Sequence, residues 1–128
     1  MSQAAAARII VCEPAPRWAV LLRRFAADLK ISEARSLALA DDLLRDHPTS
    51  FVAVAADLDN AANVLLKLWE WSREDSTNTT AVMLDKPEPD LEVSLREAGA
   101  QLVISSLFEL PTLIRLARRQ AQRVVSPT

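Results

Sequence analysis

FVAVAADLDN, residues 51–60, is the stretch on which the reading of this chain turns: six apolar residues, Phe51 to Ala56, run straight into an acid, Asp57. A short continuous apolar run closed by turn-forming residues predicts a strand buried on both faces, as in a parallel sheet. The sequence around it alternates in the same sense. RIIVCE, 8–13, is a short β-branched run, and PAP breaks it, with Pro16 suited to the first position of a helix. Trp18, Leu21, Leu22 and Phe25 recur at i, i+3, i+4 and i+7, which predicts a helix over 16–28. A weaker strand falls at 29–35. Ser36 then caps a helix through 46, which HP stops because the residue before proline avoids helical backbone angles. After FVAVAA, Asp59 or Asn60 caps a third helix to about 75, TAVML is a fourth strand, and DKPEPD opens a short helix ending at 97 or 98. Gly99 suits a helix stop, AQLVIS is a fifth strand, and Pro111 starts a last helix to about 123. Such alternation predicts an α/β domain over 8–123, with tails at 1–7 and 124–128.

Composition narrows the chemistry. The 128 residues suit one domain, half of them hydrophobic and a quarter charged. No apolar run approaches the length of a membrane span, and MSQAAAAR lacks the pattern of a signal peptide, so a cytoplasmic protein with no membrane association is expected. One cysteine, Cys12, makes no internal disulfide and reads as a small buried hydrophobe, and one histidine, His47, builds no His-rich metal site. A single glycine excludes phosphate-cradling P-loop and dinucleotide fingerprints, which need several. The hydroxyl-rich STNTT, 76–80, precedes a strand where a flavodoxin-type flavin site would want it after the first one. Net charge is −2 but uneven: residues 1–30 carry five basic and two acidic side chains, residues 31–100 six and fourteen, and residues 101–128 four and one. That asymmetry either steers partners or simply solvates helix faces.

LLRDHP, TAVMLDKP and EAGAQLVISSLFELPTLIRLARR, in this order and spacing, resemble the response-regulator receiver family of chemotaxis type over nearly the whole chain. The resemblance implies a flavodoxin-like, doubly wound, five-stranded parallel sheet of order 2-1-3-4-5 with helices on both faces. Its functional edge lies at the carboxyl ends of the strands. A working receiver has an acid pair after the first strand, a phosphorylated aspartate after the third, a hydroxyl after the fourth and Lys-Pro after the fifth. Here those positions fall on Glu13 and Pro14, on Val54, on Asp85, and on Ser106 and Leu107. Lys86-Pro87 follows the wrong strand. The resemblance therefore points to a degenerate, stand-alone pseudo-receiver: no enzyme, no cofactor, and a protein-interaction module of a two-component signalling system that works without phosphorylation. Any output would then be a separate molecule.

Asp57 lies three residues beyond Val54, about 10 Å along a strand, and an odd shift also reverses the facing side. Register thus argues against Asp57 as acceptor, and the plainer reading is that Asp57 and Asp59 cap the third helix. The alternative is a divergent phosphorylatable receiver in which Asp57 accepts the phosphoryl group. Glu13, Asp57 and Asp85 would then converge on Mg2+, since clustered carboxylates repel unless a cation joins them. An enzyme or small-molecule site at the strand edge is disfavoured because no nucleophile and base pair stands out.

Partner-binding candidates come from two surfaces. Trp69 and Trp71 lie about 200° apart on a helix, so they do not share one core face. The family register puts Trp69 inward and leaves Trp71, beside Leu68, as a partner anchor, unless both indoles merely cover core edges. By resemblance, the face formed by the fourth helix, fifth strand and fifth helix mediates self-association or contacts with a signalling protein, with Leu91, Leu95, Leu107, Phe108, Ile114 and Arg118 as candidates. Arginines near the end of the last helix suit its dipole, and without interleaved aromatics nucleic acid is not the expected partner.

Overall fold

Arg8–Cys12 forms β1, and it takes partners on both sides: β2 (Lys30–Ala34) on one edge and β3 (Phe51–Ala56) on the other, all parallel. β4 (Thr79–Leu84) and β5 (Leu102–Ile104) complete a five-stranded sheet of order β2-β1-β3-β4-β5. This computed structural model describes residues 8–74 and 78–125. The tail 1–7, residues 75–77, where the third helix was expected to end and STNTT to begin, and the last three residues, 126–128, lie outside the described residues. Parallel pairing requires crossovers, which are α1 (Trp18–Phe25), α2 (Leu37–Asp46), α3 (Ala61–Arg73) and α4 (Pro89–Glu97). A 3-10 turn, Leu107–Glu109, leads into α5 (Leu110–Val125). The expected doubly wound α/β architecture is the one observed.

β3 and β4 sit mid-sheet, which is why FVAVAA and TTAVML are almost wholly buried and carry no polar alternation. Their side chains alternate between two cores. Ile9, Val11, Phe51, Ala53, Met83 and Ile104 meet α1 and α5, while Ile10, Val52, Val54, Val82 and Leu84 meet α2, α3 and α4. Gln120 is a buried polar pin between α5 and the sheet: its side chain accepts from Thr79 Oγ1 at 2.7 Å and donates to the Thr49 carbonyl at 2.9 Å.

Boundaries moved where proline and packing compete. The α1 helix begins at Trp18, so Pro14 and Pro16 belong to the loop after β1, and it ends at Phe25. Phe25, expected on the core stripe, is 59% exposed because the core beneath α1 is closed by Trp18, Ala19 and Leu22. Ser36 caps α2 as expected, accepting from Leu39 N at 3.2 Å. The α5 helix starts at Leu110 and runs two residues past the expected boundary at 123.

The two tryptophans of α3 are reversed from expectation. Trp71 is buried and Trp69 is 49% exposed. Val64, Leu68 and Trp71 follow one another at i+4 and i+3, so they form the single inward stripe that a helix on a sheet has room for. Leu68 is therefore core as well, and neither it nor Trp71 is a surface anchor. The Trp71 indole Nε1 donates to Asp41 Oδ1 of α2 at 2.9 Å, which satisfies its one polar atom. Trp69 instead lies under the Arg73 guanidinium, 4.5 Å from the ring centroid.

Gly99 ends α4 with φ +125, and a Cβ there would stand 2.9 Å from Ser72 Cβ of α3. Both the backbone angle and the close approach of the two helices demand glycine. Gly99→Ala is expected to lower the unfolding free energy by about 1–3 kcal/mol in urea titration. Trp69→Phe should remove the acrylamide-quenchable part of the tryptophan emission. Trp71→Phe should leave that part intact and cost about 1–2 kcal/mol through the lost indole hydrogen bond.

Candidate functional site

The carboxyl ends of β1, β3 and β4 bring three acids to one rim. Pairing runs to Ala56↔Leu84, so Asp57 and Asp85 leave the sheet at the same level. Glu13 follows Cys12, whose partner on β3 is Val54, so it sits two residues behind Asp57, about 7 Å along the strand direction. A cleft of about 250 Å³ is lined by Glu13, Arg17, Asp57, Asn60 and Asp85 among others. The three acids considered for the metal alternative thus line one cleft. What each acid does there is a separate matter.

Glu13 is 3% exposed, and both its carboxylate oxygens point at the start of α1. Oε2 accepts from Arg17 N at 3.1 Å and Ala19 N at 2.9 Å, and Oε1 accepts from Trp18 N at 3.0 Å. These are backbone donors that a helix start leaves without intrahelical partners, and a negative charge there also favours the helix dipole. The preceding turn, with Pro14 in it, folds back so that Glu13 supplies the cap that Arg17 does not.

Asp57 and Asp59 were expected to cap α3, but among the described residues no side chain caps that helix, and Asp57 instead closes the turn before it. Its Oδ1 accepts from Asp59 N at 2.8 Å and Asn60 N at 2.9 Å, while Asn60 Oδ1 accepts from Asp57 N at 2.9 Å. This reciprocal pair closes the turn before α3, whose cap residue is Asn60, with Asp59 in the turn. Asp85 pairs with Arg17, whose guanidinium also lies 5.4 Å from the Trp18 ring centroid. Arg17 is the rim residue that the sequence did not offer: 68 positions separate it from Asp85, and only the sheet order makes them neighbours.

The remaining receiver positions hold other kinds of group. Val54 is 1% exposed and packed in the core beneath α2, α3 and α4. Ser106 Oγ accepts from Phe108 N at 3.0 Å, and Glu109 Oε2 accepts from Ser105 N at 2.8 Å, so Ser106 and Glu109 cap the 3-10 turn. Lys86 pairs weakly with Glu88 at 3.9 Å beyond β4. Cys12 is buried, and burial first, then the neighbouring Glu13 charge, pushes its thiol up to about 11. Such a thiol stays protonated and unreactive at neutral pH.

The fit to Mg2+ is poor. The ion takes carboxylate oxygens with free lone pairs, whereas Glu13 already receives three N–H donors and a guanidinium sits in the cleft. Among the described residues no three His, Cys, Asp or Glu side chains gather closely enough to hold a metal ion.

Candidates on the opposite faces also sorted themselves. Leu95 and Ile114 are core residues and not surface anchors, because α4 and α5 turn them onto the sheet. Leu91 is half-buried, whereas Leu107 and Phe108 are 52% and 95% exposed. Arg118 faces α1 and not α4: Nε and Nη2 donate to the two carboxylate oxygens of Asp28 at 3.0 and 2.7 Å. Those hydrogen bonds hold the Asp28 carboxyl below its ordinary value.

With this sheet order and rim in view, solved structures give the comparison. A response regulator from Thermotoga maritima matches with a TM-score of 0.77 at 17% identity, over 92% of this chain and 99% of its own. The chain has the receiver fold. The signal receiver domain of a protein described as a Luxo repressor, from Vibrio parahaemolyticus, matches the receiver fold here with a TM-score of 0.73 at 16% identity, over 92% and 94%. A pilus assembly-related protein from Burkholderia pseudomallei matches at 0.63 and 13%, over 94% and 97%. At such identities the likeness is one of fold. No protein-family model matches the sequence, and no curated protein does. Among the described residues no helix is long and apolar enough to cross a membrane.

If the Glu13 carboxylate is the closure of α1, Glu13→Ala should cost about 1–3 kcal/mol in urea titration, because buried N–H groups lose their acceptor. Glu13→Gln, which keeps one acceptor oxygen, should cost less. Equal stability of all three proteins would show that the contact contributes nothing.

Proposed function

We propose that this chain is a degenerate receiver: a non-catalytic, cytoplasmic signalling module that binds a partner protein without aspartyl phosphorylation. The observation that carries this reading is the engagement of Glu13. The one acid left at the position where a receiver holds its cation has both oxygens directed at the α1 backbone. Val54 in the core, Arg17 on Asp85 and Ser106 as a cap support the same view. A phosphoryl group arriving at this rim would meet the acids with Arg17 already paired to Asp85, and Ser106 and Leu107 stand after β5 where a lysine would offset its charge. Function then rests on surfaces. The 3-10 turn between β5 and α5 offers the exposed pair Leu107 and Phe108 to a signalling protein.

One observation favours the second reading, a divergent phosphorylatable receiver: Glu13, Asp57 and Asp85 line a common cleft. In it Asp57 accepts the phosphoryl group, with Glu13 and Mg2+ beside it. The test is intact mass after incubation with Mg2+ and acetyl phosphate, for the protein and for Asp57→Asn. The expected result is an unchanged mass for both. A stoichiometric phosphate adduct that disappears in Asp57→Asn would replace the first reading with the second.

A further inference from the structure

A cavity lies away from the rim, along α5 beside the end of α1. It is an open groove of about 780 Å³. Leu110 and Ile114 are nearly buried there, and Phe25 and Leu107 line it while remaining 59% and 52% exposed. Along the helix the lining changes character from these apolar residues to Arg115, Arg118 and Arg119. Arg118 is held by Asp28, but among the described residues no ion pair engages Arg115 or Arg119. The groove therefore combines uncovered apolar surface with two unpaired cations in a chain whose net charge is −2.

We propose that this groove docks an amphipathic helix of a partner protein, one with apolar anchors and carboxylates on the face turned to α5. The inference rests on the reading of the chain as an interaction module and goes on to name its surface and the chemistry of its partner. A helix fits because the lining from Leu110 to Gln122 follows α5 over about 18 Å, a little over three turns, and offers a ridge beside which a second helix packs. It presents no open strand edge. Carboxylates fit because Arg115 and Arg119 take them bidentately.

A second copy of this chain suits the groove poorly. Two-fold pairing across α5 would set the arginine rows against each other. The acidic α4 helix of another copy would bring one exposed apolar side chain, Val93, because Leu95 is in its own core. A small ligand would stay largely wet between such exposed walls. Nucleic acid would match the arginines but leave the apolar half uncovered.

The experiment is an NMR titration of the isotope-labelled protein with two synthetic peptides that share a Leu and Phe face at i, i+3, i+4, i+7. One carries Glu on the flanks of that face and the other Lys. The Glu peptide should shift amide signals of α5 and Phe25, and Arg115→Glu/Arg119→Glu should weaken it at least tenfold while strengthening the Lys peptide. Phe25→Ser should also weaken the Glu peptide. These side chains are exposed, and circular dichroism of each variant should match the parent. Equal binding of both peptides, unmoved groove signals, protection of the groove by self-association, or a short DNA duplex binding there more tightly would each overturn the proposal. Binding that appears only after acetyl phosphate treatment would instead sink the phosphorylation-independent reading and leave the groove standing.

Discussion

Three backbone N–H groups at the start of α1 converge on the carboxylate of Glu13, and the arrangement of the sheet's carboxyl edge follows from that contact. The helix is only eight residues long and has no capping side chain of its own at Arg17. Its exposed donors need an acceptor, and burial makes leaving them unmet expensive. Glu13 meets that need from the end of β1, which requires the PAP turn to fold back over the rim. In doing so it draws Arg17 to the mouth of the cleft, where Asp85 receives it.

The same economy governs the rest of the edge. Asp57 closes the turn into α3, and Ser106 and Glu109 close the 3-10 turn before α5. In each case a polar side chain standing at a strand end is tied to the backbone that leaves it. Groups so engaged give up the lone pairs that a cation or a phosphoryl group would need. On the reading proposed for this chain, the scaffold of a receiver is retained because the two-sided core demands it, while the chemistry at its edge has been exchanged for structural hydrogen bonds.

The surface left over is divided unevenly. Core demand takes Leu68, Trp71, Leu95 and Ile114 away from any partner surface. Trp69 and Phe25 stay outside because one helix stripe is all that a sheet face accommodates, and Leu107 and Phe108 stay outside on the 3-10 turn before α5. Arginine gathers on α5, where Arg118 fixes the helix to the residues after α1 and its neighbours remain available. Binding capacity therefore lies on the α1 and α5 side more than on the α4 side.

The sequence by itself determined the alternation of strands and helices, the continuous apolar strands of a covered sheet, the Ser36 cap and the Gly99 stop. Those follow from local patterns: side-chain periodicity, backbone preferences and short-range hydrogen bonds, all of which span a few residues. Tertiary structure alone decided that Glu13 serves α1, that Arg17 meets Asp85, that Trp71 reaches Asp41 and that Phe25 stands beside α5. Each depends on how far a strand runs before its neighbour stops, or on which helix stripe wins the core. Strand order joins residues tens of positions apart, and packing chooses between two apolar stripes that a linear pattern leaves nearly equal.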